Sequence, residues 1–202
     1  MNRFSLYLQL GFEHIADING YDHFLFILSL CGIYVISQWK HVLILVTAFT
    51  IGHSLTLALA TMRLVNVSSV LIEILIPVTI LVTTAGNIIY KGVDFSAKLH
   101  RFKYFTALFF GLIHGLGFSN YLRELLGREA NIVSPLLAFN IGLEIGQIFI
   151  VFVLLLLSLF FIKILHASRR EYNLVLSGAA LGVSLILIIE RMNEYLNAGV
   201  LN

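Results

Sequence analysis

Six apolar stretches, each near the length of a membrane-spanning helix, constrain the fold more than any other feature of this sequence. A spanning helix needs about 20 mostly apolar residues, because the hydrocarbon core of a bilayer is about 30 Å thick. Hydrophobic residues make up 59% of the 202 and charged ones only 12%, which leaves too little polar surface for a water-soluble globule. The sequence therefore predicts one all-α, polytopic transmembrane helix bundle over residues 1–202, surrounded by the lipid bilayer. The stretches are roughly residues 22–37, 41–62, 67–90, 102–118, 134–163 and 173–189.

The N-terminal segment differs from these six stretches. Residues 4–12 are apolar but too short to cross a bilayer, and the polar run 13–22 follows them. That run contains Asn19-Gly20, a turn signal. We therefore expect about six spans preceded by a half-inserted or amphipathic helix. A seventh span remains open if this helix merges with the next one.

Basic residues in the connections predict the orientation, because Lys and Arg concentrate on the cytoplasmic side. With six spans, eight of the thirteen basic residues fall on one side of the membrane and five on the other. The side with eight should be cytoplasmic, which places both termini outside. The five are Arg3, Arg63, Arg123, Arg128 and Arg191, and the eight are Lys40, Lys91, Lys98, Arg101, Lys103, Lys163, Arg169 and Arg170.

Titratable side chains within the predicted helices are few, and they are histidines and carboxylates. Each such residue costs about 2.5–3.5 kcal/mol on insertion scales, so it usually marks a site. At about 1.5 Å of rise per residue, His53, Glu73, His114 and Glu144 fall in the outer half of the membrane, and glycines flank most of them. The other candidates lie at the outer mouth of the first span. These candidates for a metal site are His14, Asp17, Asp22, His23, His53, Glu73, His114 and Glu144.

The donor atoms narrow the class of metal. Cys31 is the only cysteine, so no thiolate cluster can form, and imidazole with carboxylate suits nickel, zinc, cobalt, manganese or iron. His14, Asp22, His23, His53 and His114 are the expected direct ligands. Glu73 and Glu144 are ligands, partners that orient an imidazole, or proton carriers. Asp17 either contributes to the site or caps a helix.

Three functions are compatible with such a site: a metal-ion permease, an intramembrane metal-dependent hydrolase, and a metal-binding sensor or accessory protein. The cytoplasmic half offers little polar lining beyond Asn87, Thr79, Thr83 and Thr84, which favours an enzyme or a protein that only binds the metal over a permease. Whether the chain is an enzyme therefore stays open at this point. A net charge of +2 does not favour nucleic acid as a partner, and a homo-oligomer remains open.

A recurring spacing suggests an internal repeat. Phenylalanine precedes histidine by four residues at Phe49–His53 and again at Phe110–His114. Transporters often contain such repeats, with the binding site between the halves. The spacing predicts that the helix bearing His53 is equivalent to the helix bearing His114.

Three segments together resemble the HupE/UreJ family of membrane proteins, and they occur in that family's order. They are GFEHIADINGYDHFLFILSL, FTIGHSLTLAL and GLIHGLGFS. The resemblance implies a permease for nickel or a related divalent cation in the bacterial inner (plasma) membrane, with Asp22, His23, His53 and His14 contacting the ion. It favours a transporter over a hydrolase. Better-studied relatives carry a histidine at a fixed short spacing before the Asp-His pair, whereas His14 here lies eight residues before Asp22.

Overall fold

Helices make up nearly all of the chain, which confirms the predicted all-α class. The computed structural model describes residues 2–17, 20–90, 97–126 and 132–200, with side chains to 197. In this part of the chain a 3-10 turn at Ile36–Gln38 precedes the third helix, and a π-turn at Phe160–Ile164 follows the seventh. The helices are α1 Arg3–Ala16, α2 Asp22–Cys31, α3 Trp39–Thr61, α4 Ser69–Ile89, α5 Ala97–Gly117, α6 Ser119–Leu126, α7 Val133–Leu159 and α8 Arg169–Val200.

Four to five segments of the described residues are long and apolar enough to cross a membrane. Four are single segments: Ile36–Thr61, Ser69–Ile89, Val133–Ile164 and Arg169–Asn197. The fifth joins α5 and α6 across a bend of 49°. Large apolar side chains such as Ile51, Phe105 and Val175 are more than half exposed, as expected where lipid is the surrounding solvent. The protein is therefore an integral membrane protein.

The N-terminal region departs from the predicted boundaries in two ways. Helix α1 continues through Glu13 and His14 instead of ending at residue 12, and it buries one face through Tyr7, Gly11 and Ile15. The first predicted span shortens to the ten residues of α2. Of the predicted Asn19-Gly20 turn, Asn19 lies outside the described residues, and Gly20 is in a turn.

Glycines bring two pairs of helices into backbone contact. A Cβ added at Gly52 would overlap the carbonyl oxygen of Leu108, and one at Gly111 would overlap that of Phe49, so α3 and α5 touch directly. Small residues permit such close approach in membranes. Since Gly115 meets the carbonyl of His53 one turn further along, α3 and α5 run parallel.

The contact between α1 and α7 repeats this geometry. A Cβ at Gly11 would overlap the Phe139 carbonyl oxygen, and one at Gly142 would overlap that of Leu8. Gly146 meets Phe12 one turn further along, so α1 and α7 are also parallel. The local sequences match as well, because GFEH in α1 corresponds to GLIH in α5, and FNIG in α7 to FTIG in α3.

The two parallel pairs run in opposite directions. Helix α4 is antiparallel to α8, because Glu73 pairs with Arg191 while the Asn87 carbonyl accepts from Asn173. It is antiparallel to α5 as well, since Thr79 contacts His114 and Asn87 accepts from Lys103. We call the end of the bundle near Glu73 and Arg191 the site end, and the opposite one the far end.

Helix α7 ends at the far end, where α8 begins, because the Tyr172 hydroxyl donates to the Leu154 carbonyl at 3.3 Å. Helices α1 and α7 therefore run toward the far end, and α3 and α5 toward the site end. Helices α1 to α4 thus recur as α5 to α8 with inverted direction. The predicted equivalence of the His53 and His114 helices is wrong: α3 corresponds to α7, and α5 to α1.

Helices α1 and α2 form one interrupted path across the bundle. Helix α2 runs toward the far end like α1, since Asp22 lies beside Glu73 in one cavity and the Ser29 carbonyl accepts from Asn87. Its counterpart in the second half is the bent pair α5–α6. Both interruptions carry histidines, His14 and His23 at the first and His114 at the second.

Candidate metal centre

Three imidazoles converge where α1 gives way to α2, against α3. His14, His23 and His53 each offer a ring nitrogen, and these three nitrogens lie within 4.8 Å of one another. The ring centroids are 4.6 Å apart for His14 and His23, 5.8 Å for His23 and His53, and 6.1 Å for His14 and His53. Imidazole nitrogens bind zinc at about 2.0–2.1 Å, so two that share an ion lie at most about 4.2 Å apart. A small side-chain movement would complete such a site.

The nitrogens of this cluster lack hydrogen-bond partners. Nε2 of His14, Nε2 of His23 and both ring nitrogens of His53 are buried and unpaired among the described residues. An unsatisfied buried polar atom costs about 1–3 kcal/mol, and native proteins keep few of them. Several in one place indicate a ligand that binds there, and lone pairs on neutral imidazoles bind a divalent cation well.

Asp22 orients His23 toward the cluster. Its Oδ1 lies 3.1 Å from Nδ1 of His23 and also accepts the backbone N–H of His23 at 2.8 Å. A carboxylate on the second nitrogen of a metal-bound histidine fixes the ring and its tautomer and raises the basicity of the ligand. Nε2 of His23 is thereby left with its lone pair directed into the cluster. Asp22 thus acts on the site through His23.

His114 lies beside the three nitrogens but outside the group they form. Its ring centroid is 5.2 Å from that of His23, and its Nε2 lies 2.9 Å from the Thr79 hydroxyl. That hydroxyl donates its single hydrogen to the Ile76 carbonyl at 2.7 Å, so Nε2 of His114 must be the donor to Thr79. Nδ1 of His114 then carries a lone pair, and it has no partner among the described residues.

Aromatic rings enclose the imidazoles. The Phe118 ring lies 3.8 Å from that of His14, centroid to centroid, and Phe26 and Phe49 lie 5.0 and 5.1 Å from His114. These rings shield the cluster from water on the sides that they cover. A low local dielectric strengthens every electrostatic interaction made there.

The remaining predicted carboxylates do not join the cluster. Glu73 is half exposed and pairs with Arg191 at 3.6 Å. Glu144 accepts a hydrogen bond from Thr47 at 2.7 Å. Asp17 is exposed at the end of α1 and lines an open cavity beside His14.

Two residues at or near the site were not identified from the sequence. Thr79 was placed with the polar residues of the other half of the membrane, although its hydroxyl fixes His114. Arg191 was counted only as a charge for orientation, yet it lines one cavity with Asp22. In the sequence, Thr79 stands out only as a polar residue two helical turns from Glu73. Arg191 stands out only as a charged residue at the end of an apolar stretch. His41 and His100, which are not among the predicted site residues, lie in α3 and α5 as a half-buried stacked pair with ring centroids 4.0 Å apart.

The comparison with known proteins gives one result that covers nearly the whole chain. Residues 1–192 match the family described as HupE / UreJ protein. No curated protein and no solved structure matches the chain. The match includes the Asp22-His23 pair, His14, His53 and His114, and it extends into α8. The chain belongs to the HupE/UreJ family of membrane proteins.

Proposed function

We propose that this protein is a permease for nickel or a related divalent cation, which His14, His23 and His53 bind directly. The observation that carries the proposal is the convergence of three imidazoles with buried, unpaired nitrogens at the interruption between α1 and α2. Asp22 orients His23, and His114 offers a fourth nitrogen to the same ion. The family is associated with nickel and cobalt transport. Zinc, manganese and iron suit the same donor atoms.

The architecture supports transport over other uses of a metal site. Inverted repeats with interrupted helices characterise many secondary transporters, and their substrate sites lie where the two halves meet. In our proposal the chain makes six spans, with α1–α2 and α5–α6 each counted as one. The site then lies in the outer half of the membrane, as the basic residues predict. The two interruptions place His14, His23 and His114 next to one another.

The donor set also suits a site that must release its ion. Neutral imidazoles bind a hydrated divalent cation without adding negative charge, whereas thiolates would hold it far more tightly. Conduction requires binding that is favourable enough for the ion to enter and weak enough for it to leave. Asp22 contributes its single negative charge through His23.

Uptake into proteoliposomes tests the proposal. Purified protein reconstituted into liposomes should take up radioactive nickel faster than empty liposomes, and His53→Ala should abolish the difference, because it removes the imidazole with two unpaired nitrogens. His166→Ala serves as the matched control, since His166 is exposed and far from the cluster. Wild-type protein that binds nickel but transports none of the suitable divalent cations would contradict a permease.

An intramembrane hydrolase is the second candidate, because three imidazoles that leave a coordination position open also form catalytic zinc sites. Such an enzyme needs a general base close to the metal-bound water. Among the described residues, the carboxylate nearest the cluster is Asp22, and His23 already occupies it. The permease is therefore the better-supported function.

A further inference from the structure

We infer that Arg191 gates the entrance to the metal site and selects divalent over monovalent cations there. The inference rests on the proposed transport of a divalent cation. It adds the route by which the ion reaches the site and the reason why divalent ions are selected there. The entrance is a cavity of about 230 Å³ at the site end of α4 and α8, and Asp22 forms part of its wall. A cation that reaches Asp22 is next to His23, since the carboxylate and that imidazole are 3.1 Å apart.

The cavity carries a strong negative charge. Four carboxylates line it, those of Asp22, Glu73, Glu190 and Glu194, together with the guanidinium of Arg191. Its ionised groups therefore carry a formal charge of −3. A concave surface of one sign beside a low-dielectric interior concentrates counter-ions and raises their association rate by a factor of about 10 to 1,000.

Arg191 already occupies the position of a cation in this cavity. Its Nη1 lies 2.9 Å from Oε2 of Glu194 and 3.6 Å from Oε2 of Glu73, which ties α8 to α4. The Arg191 side chain is 41% exposed, Glu73 49% and Glu194 64%. Ion pairs with this exposure are weak, so an incoming cation can displace the guanidinium.

Displacement of Arg191 depends on the charge of the incoming ion. A monovalent ion brings the same charge as the guanidinium, and it must compete with a group that is tethered in place. A divalent ion interacts twice as strongly with each carboxylate at the same distance. The guanidinium therefore excludes monovalent ions, while a divalent ion can replace it and move on to Asp22.

The second opening near the cluster is a poorer route for a cation. Its cavity exposes Glu13, Asp17 and one side of His14. The Phe118 ring covers His14 at 3.8 Å and stacks on Phe139 at 5.2 Å. An ion approaching from there meets two carboxylates and a His14 ring partly covered by Phe118, whereas the other cavity holds four carboxylates, among them Asp22, which contacts His23.

Stopped-flow binding of Co²⁺ to the purified protein, followed by its visible absorbance, tests the inference. Glu190→Gln should slow association about 3- to 10-fold and flatten its dependence on ionic strength, with the amount of Co²⁺ bound unchanged. The matched control Glu13→Gln removes one carboxylate from the other opening and should leave the rate unchanged. Arg191→Gln should make association faster and newly sensitive to inhibition by K⁺, and Arg191→Lys should behave like the wild type.

Two results would overturn the inference and leave the proposed permease standing. If Glu13→Gln slows association while Glu190→Gln does not, the ion enters by the other opening. If Arg191→Gln folds and binds Co²⁺ with unchanged rate and K⁺ sensitivity, Arg191 only ties α8 to α4. A different result would contradict the proposed function, which requires His53 to bind the ion directly. That result is full Co²⁺ binding by the His53→Ala protein.

Discussion

At the scale of single residues, the site depends on imidazoles whose unpaired ring nitrogens are buried. A neutral histidine is far cheaper to bury than an ionised carboxylate, so α1, α2, α3 and α5 can each place one in the interior. His14, His23, His53 and His114 nevertheless keep buried nitrogens without partners. Asp22 adds a carboxylate beside His23, at the start of α2. A cation bound as proposed would restore the free energy that the unpaired nitrogens lose on burial.

Replacing the histidines one at a time tests whether they share an ion. His23→Ala and His53→Ala should each cut the nickel content of the purified protein sharply, and the double variant should bind little less than either single one. Losses of this kind are strongly non-additive, because each ligand depends on the others to hold the ion. Element analysis by mass spectrometry measures the content, with His166→Ala as the control.

The carboxylate and the fourth histidine complete this test. Asp22→Asn should weaken nickel binding roughly 10- to 100-fold, the range for loss of a group that orients a metal-bound histidine. If His114 is a fourth ligand, His114→Ala should also lower the affinity for nickel. If His114 is only a neighbour held by Thr79, the affinity should stay unchanged. Full nickel content in every histidine variant would show that the imidazoles merely pack together.

At the scale of elements, the interrupted helices and their glycine contacts position the site. The breaks between α1 and α2 and between α5 and α6 lie close to His14, His23 and His114, each of which is near the end of its own helix. Irregular backbone at membrane depth is tolerated only where protein or a water-filled cavity covers it. Close contacts at Gly11, Gly52, Gly111 and Gly142 hold the flanking helices together. Because Gly52 and Gly111 meet beside His53, the same contact fixes both the packing and one candidate ligand.

Adding a methyl group at such a contact should separate the helices. Gly111→Ala places a Cβ against the carbonyl oxygen of Phe49, which is backbone and cannot move away as a side chain can. Overpacking usually costs about 1–3 kcal/mol and occasionally more. We expect a lower melting temperature in detergent and reduced nickel binding through displacement of His53.

Gly178→Ala is the matched control for that substitution. Gly178 lies in α8 with nothing within 4 Å of an added Cβ, so the change should leave stability equal or higher by up to about 1 kcal/mol through helix propensity. Equal melting temperatures for Gly111→Ala and Gly178→Ala would contradict the tight α3–α5 contact.

The sequence predicted the long apolar helices well and the short ones poorly. Hydropathy marks α3, α4, α7 and α8 because each is continuous and long enough to span. It misplaced the end of α1, since Glu13 and His14 interrupt the apolar run while the helix continues through them. The approach of His14, His23 and His53 was expected from depth along each helix. The separation of Glu73 and Glu144 from this cluster was not expected, because depth along a helix does not tell which way a side chain faces.

At the scale of the whole molecule, the inverted halves direct α3 and α5 toward the site end of the bundle, and α1 and α7 toward the far end. Helix α8 ends at the site end, where Arg191 meets Glu73. Lys98, Arg101, Lys103, Arg169 and Arg170 all lie toward the far end, in the first turns of α5 and α8. The prediction that the far end is cytoplasmic rests on these basic residues. The site would then load from outside and release its ion inward.

Cysteine labelling in intact cells tests this orientation. Cys31 is buried, so Cys31→Ala gives a background without thiols. A membrane-impermeant maleimide should label Leu64→Cys, because Leu64 is 69% exposed in the turn that follows α3 at the site end. Ala97→Cys, at the exposed start of α5, should react only after the membrane is permeabilised. The opposite pattern would place the histidine cluster in the cytoplasmic half, and the carboxylates around Arg191 would then receive cations from the cytoplasm for export.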